Sequence, residues 1–452
     1  MIVLSLLSLL AAWSVILVAG SALLRILAGA DLEKTPPLER YGLWFLLGSG
    51  YVSLALFVAG FALRDVPLVA IVCAGAMALL LWSRRIPVGR RAREPLRRVE
   101  WLVLAVFAGQ AIFIAWWAPQ VALGWDGLVL WEAKARSAFA HGGALPVSYL
   151  ADPPFGWAQP LYPLYLPYVQ DWLYLWLGRA DQAWVRVFGP VIYLAGILVL
   201  MGSAQRLGVS RPGALLAGAV FFFVPYCFTG LWNVLSGYAD FPLGVFYLAA
   251  ASRLPGFGRT VSAGDLRLFA VLAGLTGWVK QEGFYLWAIL IGIAGLMLLR
   301  HGRWKAAFAV AIPGIVIGGG FKVFLKVIGA PSDPFYHPPT WENLRAFSDR
   351  IFPVTQRMVS EGFHFEFWSL LWIGAFLALL VMLLRRQWTR AFAIGLAIGL
   401  PLFFYIWPFV LSALDSYVIH MDHAVVRLLM QIAPTAMLAI ALAAPRPLLT
   451  ER

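Results

Sequence analysis

The chain has 452 residues, of which 62% are hydrophobic and 13% charged, and its mean hydropathy is +0.80. A soluble domain carries about 25% charged residues, so this composition excludes an ordinary cytosolic enzyme, a secreted disulfide scaffold and a disordered chain. What remains is a polytopic membrane protein, and in such proteins a net charge of +13 reports first on loop placement, because Lys and Arg collect in cytoplasmic loops.

A spanning helix needs about 20 mostly apolar residues. By that measure the expected fold is all-α, with roughly thirteen spans (range eleven to thirteen), over 2–24, 41–63, 66–82, 101–118, 187–204, 212–230, 238–253, 267–280, 284–299, 305–327, 367–384, 391–411 and 424–443. The first run lacks a basic leader and is too long for a signal-peptide core, so it reads as an anchor with its N-terminus outside. Threaded alternately from there, about two thirds of the Lys and Arg fall on the cytoplasmic side, as the positive-inside effect requires. The densest stretch is RRIPVGRRAREPLRR (84–98). The basic excess is therefore mainly an orientation signal, and no nucleic-acid partner is expected. The same stretch divides a three-span prefix with its basic loop (1–98) from a larger module (99–445). Cys73 and Cys227 both lie in apolar runs, so neither a disulfide nor a Cys-based metal site is expected.

Two loops on the opposite, extracytoplasmic face are long, about 119–186 and 328–366, and loops of that length usually carry function or short helices of their own. The first opens with GWDGLVLWEAKAR (124–136). Asp126 is placed to start a helix, near the positive end of its dipole. Lys134, eight residues on, falls about two turns later on roughly the same side, and Glu132 points nearly the other way. Trp125 and Trp131 suit a helix at the membrane interface. The plain alternative is a helix cap at Asp126 with Lys134 and Arg136 as headgroup anchors. ADPPFGWAQPLYPLYLPYVQDW (151–172) follows, a Pro-stiffened aromatic segment able to border a sugar or to sit in the interface.

NVLSGYADFPLG (233–244) returns to the same face, with Asp240 at the edge of an apolar run. An acid there costs up to about 3 kcal/mol unless paired or hydrated. WVKQEGFYLW (278–287) interrupts two apolar runs with Lys280, Gln281 and Glu282; it is either a simple polar turn, or Lys280 pairs with Asp240 or binds a phosphate. The second loop adds DPFYHPP (333–339), Arg345, Arg350, Arg357, Glu361, His364 and Glu366, a partly helical lid. Last comes DSYVIHMDHAVVRLLMQIAP (415–434). His420, Asp422 and His423 permit a metal site, but a divalent metal has weak support. Arg427, a turn inside the helix, suits an anionic headgroup. The acids and bases left over from orientation thus share one face of the membrane, where a transporter would place them near the midplane.

In their order, WDGLVLWEAKA (125–135), QPLYPLYLPYV (159–169), SGYADFPL (236–243), VKQEG (279–283) and the segment ending in Arg427 resemble the GT-C superfamily of polyprenyl-phosphate-sugar-dependent glycosyltransferases. The pattern is similar to its bacterial branch related to protein O-mannosyltransferases and lipid A aminoarabinose transferases, and covers roughly 99–445. The resemblance implies an inverting hexosyl- or pentosyltransferase of the bacterial inner membrane with its site facing the periplasm. Its partners would be a polyprenyl-phosphate-linked sugar and a glycan, lipid or protein acceptor. It further implies Asp126 as general base and Lys134, Lys280 and Arg427 at the donor phosphate. Trp125, Tyr162, Tyr165, Asp240, Glu282, His420 and Asp422 would form the substrate pocket. Gly127 stands where many relatives carry a second acid, so no metal cofactor is expected. A flippase of lipid-linked sugars and a non-catalytic scaffold are the competing readings.

Overall fold

The computed structural model describes residues 2–63, 66–87, 95–154, 158–229, 233–255, 257, 261–332 and 334–444. The centre of the basic stretch (88–94), part of the first aromatic loop (155–157) and Asp333 lie outside the described residues.

The described residues are almost wholly helical. The principal helices are α1 (Ile2–Ala28), α2 (Pro37–Ala62), α3 (Leu68–Ser83), α4 (Arg98–Trp117), α5 (Ala133–Ala140), α6 (Tyr165–Leu177), α7 (Phe188–Arg206), α8 (Arg211–Phe221) and α9 (Asp240–Ala251). They continue as α10 (Ala263–Val279), α11 (Glu282–Arg300), α12 (Trp304–Val327), α13 (Ile351–Gly362), α14 (Leu371–Leu384), α15 (Trp388–Phe404), α16 (Tyr417–Met430) and α17 (Ala433–Ala443).

Among the described residues, seven helical segments are long and apolar enough to cross a membrane, and α16 with α17, bent by 42° at their junction, makes an eighth if the pair is one span. The chain is therefore an all-helical protein of the multi-pass membrane class, and the expectation of eleven to thirteen full spans is not met. The remaining apolar runs give α3, α8, α9, α10 and α14, helices of 11 to 17 residues. The physical reason is local. The run from 212 stops at Phe221, and short 3-10 turns at Pro225–Cys227 and Val234–Ser236 follow. Ser369, at φ 49°, separates α14 from the residues before it. A helix of twelve residues is roughly 18 Å long, short of the roughly 30 Å hydrocarbon layer. Instead of crossing alone, α9 is buried along its whole length.

The core lies where α2, α7, α9 and α10 meet. The N-terminal helices are packed into it: α1 and α2 cross so closely that a Cβ on Gly20 would fall 1.7 Å from the Trp44 carbonyl oxygen, and one on Gly48 1.8 Å from that of Ile16. Small residues at a crossing are how membrane helices gain van der Waals contact. Polar tethers join the same helices to the rest: Trp172 Nε1 donates to the Ala12 carbonyl at 3.1 Å, Trp278 Nε1 to Ser53 Oγ at 2.7 Å, and Ser49 meets the Tyr165 hydroxyl at 2.9 Å.

Candidate functional site

The Asp126 turn is placed by glycine. Gly124 N donates to the Ser236 carbonyl at 2.8 Å, and a Cβ on Gly127 would stand 2.4 Å from that same oxygen. Only a residue without a side chain lets this turn lie against the 233–237 turn, where Gly237 takes φ 81°. Tyr238, next along, accepts from Asp126 N at 3.2 Å through its hydroxyl. Two loops far apart in sequence are thereby fixed side by side, with Asp126 and Asp240 facing one space.

Asp126 does not cap the helix it opens: its side chain takes no cap hydrogen bond, and its Oδ2 accepts from Arg427 Nη2 at 2.7 Å. The turn that follows, Gly127–Glu132, is π-helical. Its i→i+5 bonds wind more slowly than an α-helix, by roughly a quarter turn over such a length. Lys134, just past this turn, reaches the Gln159 carbonyl and the Tyr162 ring. Glu132 does point away, accepting from Tyr174 at 2.7 Å and pairing with Arg136.

Asp240, buried at the start of α9, is the hub. Its Oδ1 accepts from Lys280 Nζ at 2.7 Å and from Gln431 Nε2 at 2.7 Å, and its Oδ2 from Arg427 Nε at 3.1 Å. Lys280 reaches it because α10 ends one residue earlier and Lys280 itself is extended; it also pairs with Glu282 Oε1 at 2.8 Å. Glu282 Oε2 is buried without a partner among the described residues. Arg427 comes from α16, and its guanidinium lies 4.7 Å from the Tyr238 ring centroid. Gln431, at the bend between α16 and α17, is oriented by the Tyr405 hydroxyl at 2.8 Å. Buried charges persist only when paired and hydrogen-bonded, and here each cation has two carboxylate partners.

Beside this network stands an aromatic wall. Trp131 and Tyr162 stack with centroids 5.6 Å apart. Lys134 Nζ lies 5.9 Å and Lys280 Nζ 6.0 Å from the Tyr162 ring, so the ring links the two ammonium groups. Lys134 is fully buried, its amine donates to the Gln159 carbonyl at 2.7 Å, and burial pushes its ammonium down to about 7. The second loop closes the other flank. Tyr336 bridges to Ser412, Arg350 donates to the Ser412 carbonyl at 3.0 Å, and Arg357 on α13 pairs with Asp422 at 3.2 Å.

Asp126, Asp240, Lys280, Glu282 and Arg427 thus come together, with Tyr162 and Lys134 adjoining. Four other residues expected at a pocket do not join the network. Trp125 is 63% exposed. Tyr165 is a core residue, bonded to Ser49 and packed on Phe188 and Phe246. His420 is held by Ser412 at 3.0 Å and by the Tyr336 and Phe409 rings. Asp422, 53% exposed, belongs to the lid contact. Among the described residues no three His, Cys, Asp or Glu side chains are grouped as metal ligands.

Tyr238 and Gln431 are part of the network and carry no sequence signal of their own, since each reads as an ordinary polar residue in a helical stretch. A second ionic network also escapes the sequence. Glu39 on α2 pairs with Arg206 at 2.9 Å and Arg253 at 2.6 Å, and Arg253 pairs with Asp265 at 2.5 Å. It lies past the far end of α9, so the ionisable groups are not confined to one end of the bundle. No protein-family model matches the chain, and neither does any curated protein or solved structure.

Proposed function

We propose that the chain is an integral membrane glycosyltransferase of the bacterial inner membrane. It moves a sugar from a polyprenyl-phosphate donor to an envelope glycan, lipid or protein acceptor at the extracytoplasmic face. The observation that carries this reading is the convergence of Asp126, Asp240, Lys280, Glu282 and Arg427, from four separate segments, beside the Trp131–Tyr162 wall. The motif order that resembles GT-C enzymes supports it; membership in that superfamily is part of the proposal.

The chemistry is a single displacement. The acceptor hydroxyl oxygen attacks the anomeric carbon with inversion while its proton passes to Asp126. The bond from that carbon to the phosphate oxygen breaks, and the electron pair leaves on the polyprenyl phosphate. A positioned base contributes about 10²–10⁴ in rate, and Arg427, Lys280 and Lys134 are the cations available to the departing phosphate. Asp240, with Gln431 and Tyr405 behind it, holds Lys280 and Arg427 in place. A flippase would need a polar route through the bilayer, whereas α9 between the two ionic networks presents Phe241 to Ala251 without a charge. That favours surface chemistry over transport.

The test is transfer by the purified full-length protein in nanodiscs, supplied with polyprenyl-phosphate-linked sugars extracted from membranes. Asp126→Asn should lower turnover at least 100-fold with an unchanged melting temperature. Turnover equal to that of the native protein would remove Asp126 from the reaction.

A further inference from the structure

The proposed base is occupied. Asp126 Oδ2 accepts from Arg427 Nη2 at 2.7 Å, so that oxygen is engaged by the guanidinium and not open to an acceptor hydroxyl. The two carboxylates on Arg427 are nevertheless held very differently. Asp240 is 2% exposed and accepts from Lys280, Gln431 and Arg427 together. Asp126 has a side chain 16% exposed and takes its one ion pair from Arg427. Its backbone is fixed independently, through the Tyr238 hydroxyl and the Gly124 and Gly127 contacts with Ser236. The Asp126 carboxylate can therefore leave Arg427 by a side-chain rotation alone. Arg427 stays where it is, anchored by Asp240 Oδ2 at 3.1 Å and by the Tyr238 ring.

We infer that the Asp126–Arg427 ion pair is a latch opened by the phosphate of the donor: a phosphate ester arriving at Arg427 displaces Asp126 and frees its carboxylate to accept a proton. This rests on the glycosyltransferase reading and adds an order of events to it. A phosphate oxygen competes well for a guanidinium, because charge-assisted bonds to Arg are the strong ones and phosphate matches its fork geometry. The charges point the same way. Asp126, Asp240 and Glu282 outnumber Lys280 and Arg427, and a phosphate that takes Arg427 Nη2 does so at the expense of the carboxylate already there. Of the two carboxylates on Arg427, Asp126 is the more weakly held. The base is thus masked until the donor phosphate is seated, which couples proton abstraction to donor binding.

The latch makes a prediction opposite to that of a merely supportive residue: removing the Asp126 charge should tighten phosphate binding. Equilibrium binding of farnesyl phosphate to the full-length protein in nanodiscs measures this at fixed salt. Asp126→Asn should bind about tenfold more tightly than the native protein, a difference of about 1.4 kcal/mol, while Arg427→Gln should lose binding. Asp126→Ser gives the same reading if the Asn variant does not fold. Unchanged or weaker binding by a variant with native melting would overturn the latch and leave the transferase reading standing. Absence of farnesyl phosphate binding by the folded native protein and by both Asp126 variants would overturn the transferase reading itself.

Discussion

The two ionic networks at the two ends of α9 have similar ingredients and different finish. In the Glu39 network two acids meet two arginines. Glu39 is met on both oxygens by Arg206 and Arg253, and Ser203 adds a hydrogen bond at 3.3 Å; Arg253 is buried with its Nε unpartnered among the described residues, and the Asp265 side chain is 33% exposed. In the Asp240 network three acids meet two cations, Glu282 Oε2 is buried without a partner among the described residues, and Asp126 is partly open to solvent. Aromatic rings and two loops border the second network, whereas helices pack around the first. A charge-balanced network among packed helices fixes those helices relative to one another. One with an acid in excess at the meeting of loops has capacity left for a ligand, and that charge imbalance and loop setting single out the Asp240 network.

Substitution tests this difference, and the largest effect should come from the Glu39 network, whose Arg253 is buried. Removing one partner of a buried ion pair costs about 3–5 kcal/mol, so Arg253→Gln should lower the unfolding free energy by about that much in detergent unfolding assays. Arg427→Gln should destabilise less, because Asp240 keeps Lys280 and Gln431, yet should abolish transfer. The reverse ranking in the unfolding assay would show that the second network is the structural one.

Gly127→Ala sharpens the point. Its Cβ would meet a backbone oxygen that cannot rotate away, so overpacking of about 1–3 kcal/mol is expected, with a loss of transfer larger than the loss of stability, read from melting and turnover side by side. Lys134 provides a pH signature. Its folded-state value of about 7 lies below the ordinary lysine range near 10.4. Between these values the unfolded chain binds the extra proton, so stability should rise as pH increases from about 7 toward 10. Lys134→Met should flatten that slope in unfolding curves. The smallest effect is reserved for Trp125→Ala: an exposed side chain outside the network should change stability by no more than about 0.5 kcal/mol and leave transfer intact.

Composition made the helical membrane class legible, because a 62% hydrophobic chain has few other ways to fold. The number of full spans was not legible, since hydropathy does not register that the run after Phe221 turns, or that α9 is short and buried. At the site, Asp126, Asp240, Lys280, Glu282 and Arg427 stood out as charges beside apolar runs, which is costly without partners. Which partner each takes depends on contacts as distant as the 301 positions between Asp126 and Arg427, and no local pattern carries that. Lys134 shows the same limit: its spacing from Asp126 does not reveal that it reaches the Gln159 carbonyl and the Tyr162 ring. Glu39 follows two prolines at the start of α2, and its pairing with Arg206 appears only when α2 packs on α7.

The proposal that the Asp240 network handles a lipid-linked sugar is open to mass spectrometry of the polyprenyl-linked sugars and envelope glycans in cells with the native protein, without it, and with Asp126→Asn. One polyprenyl-phosphate sugar should accumulate, and one glycan modification disappear, in both the deletion and the Asn strain. Lipid-linked sugar pools and glycans identical in all three strains would contradict it.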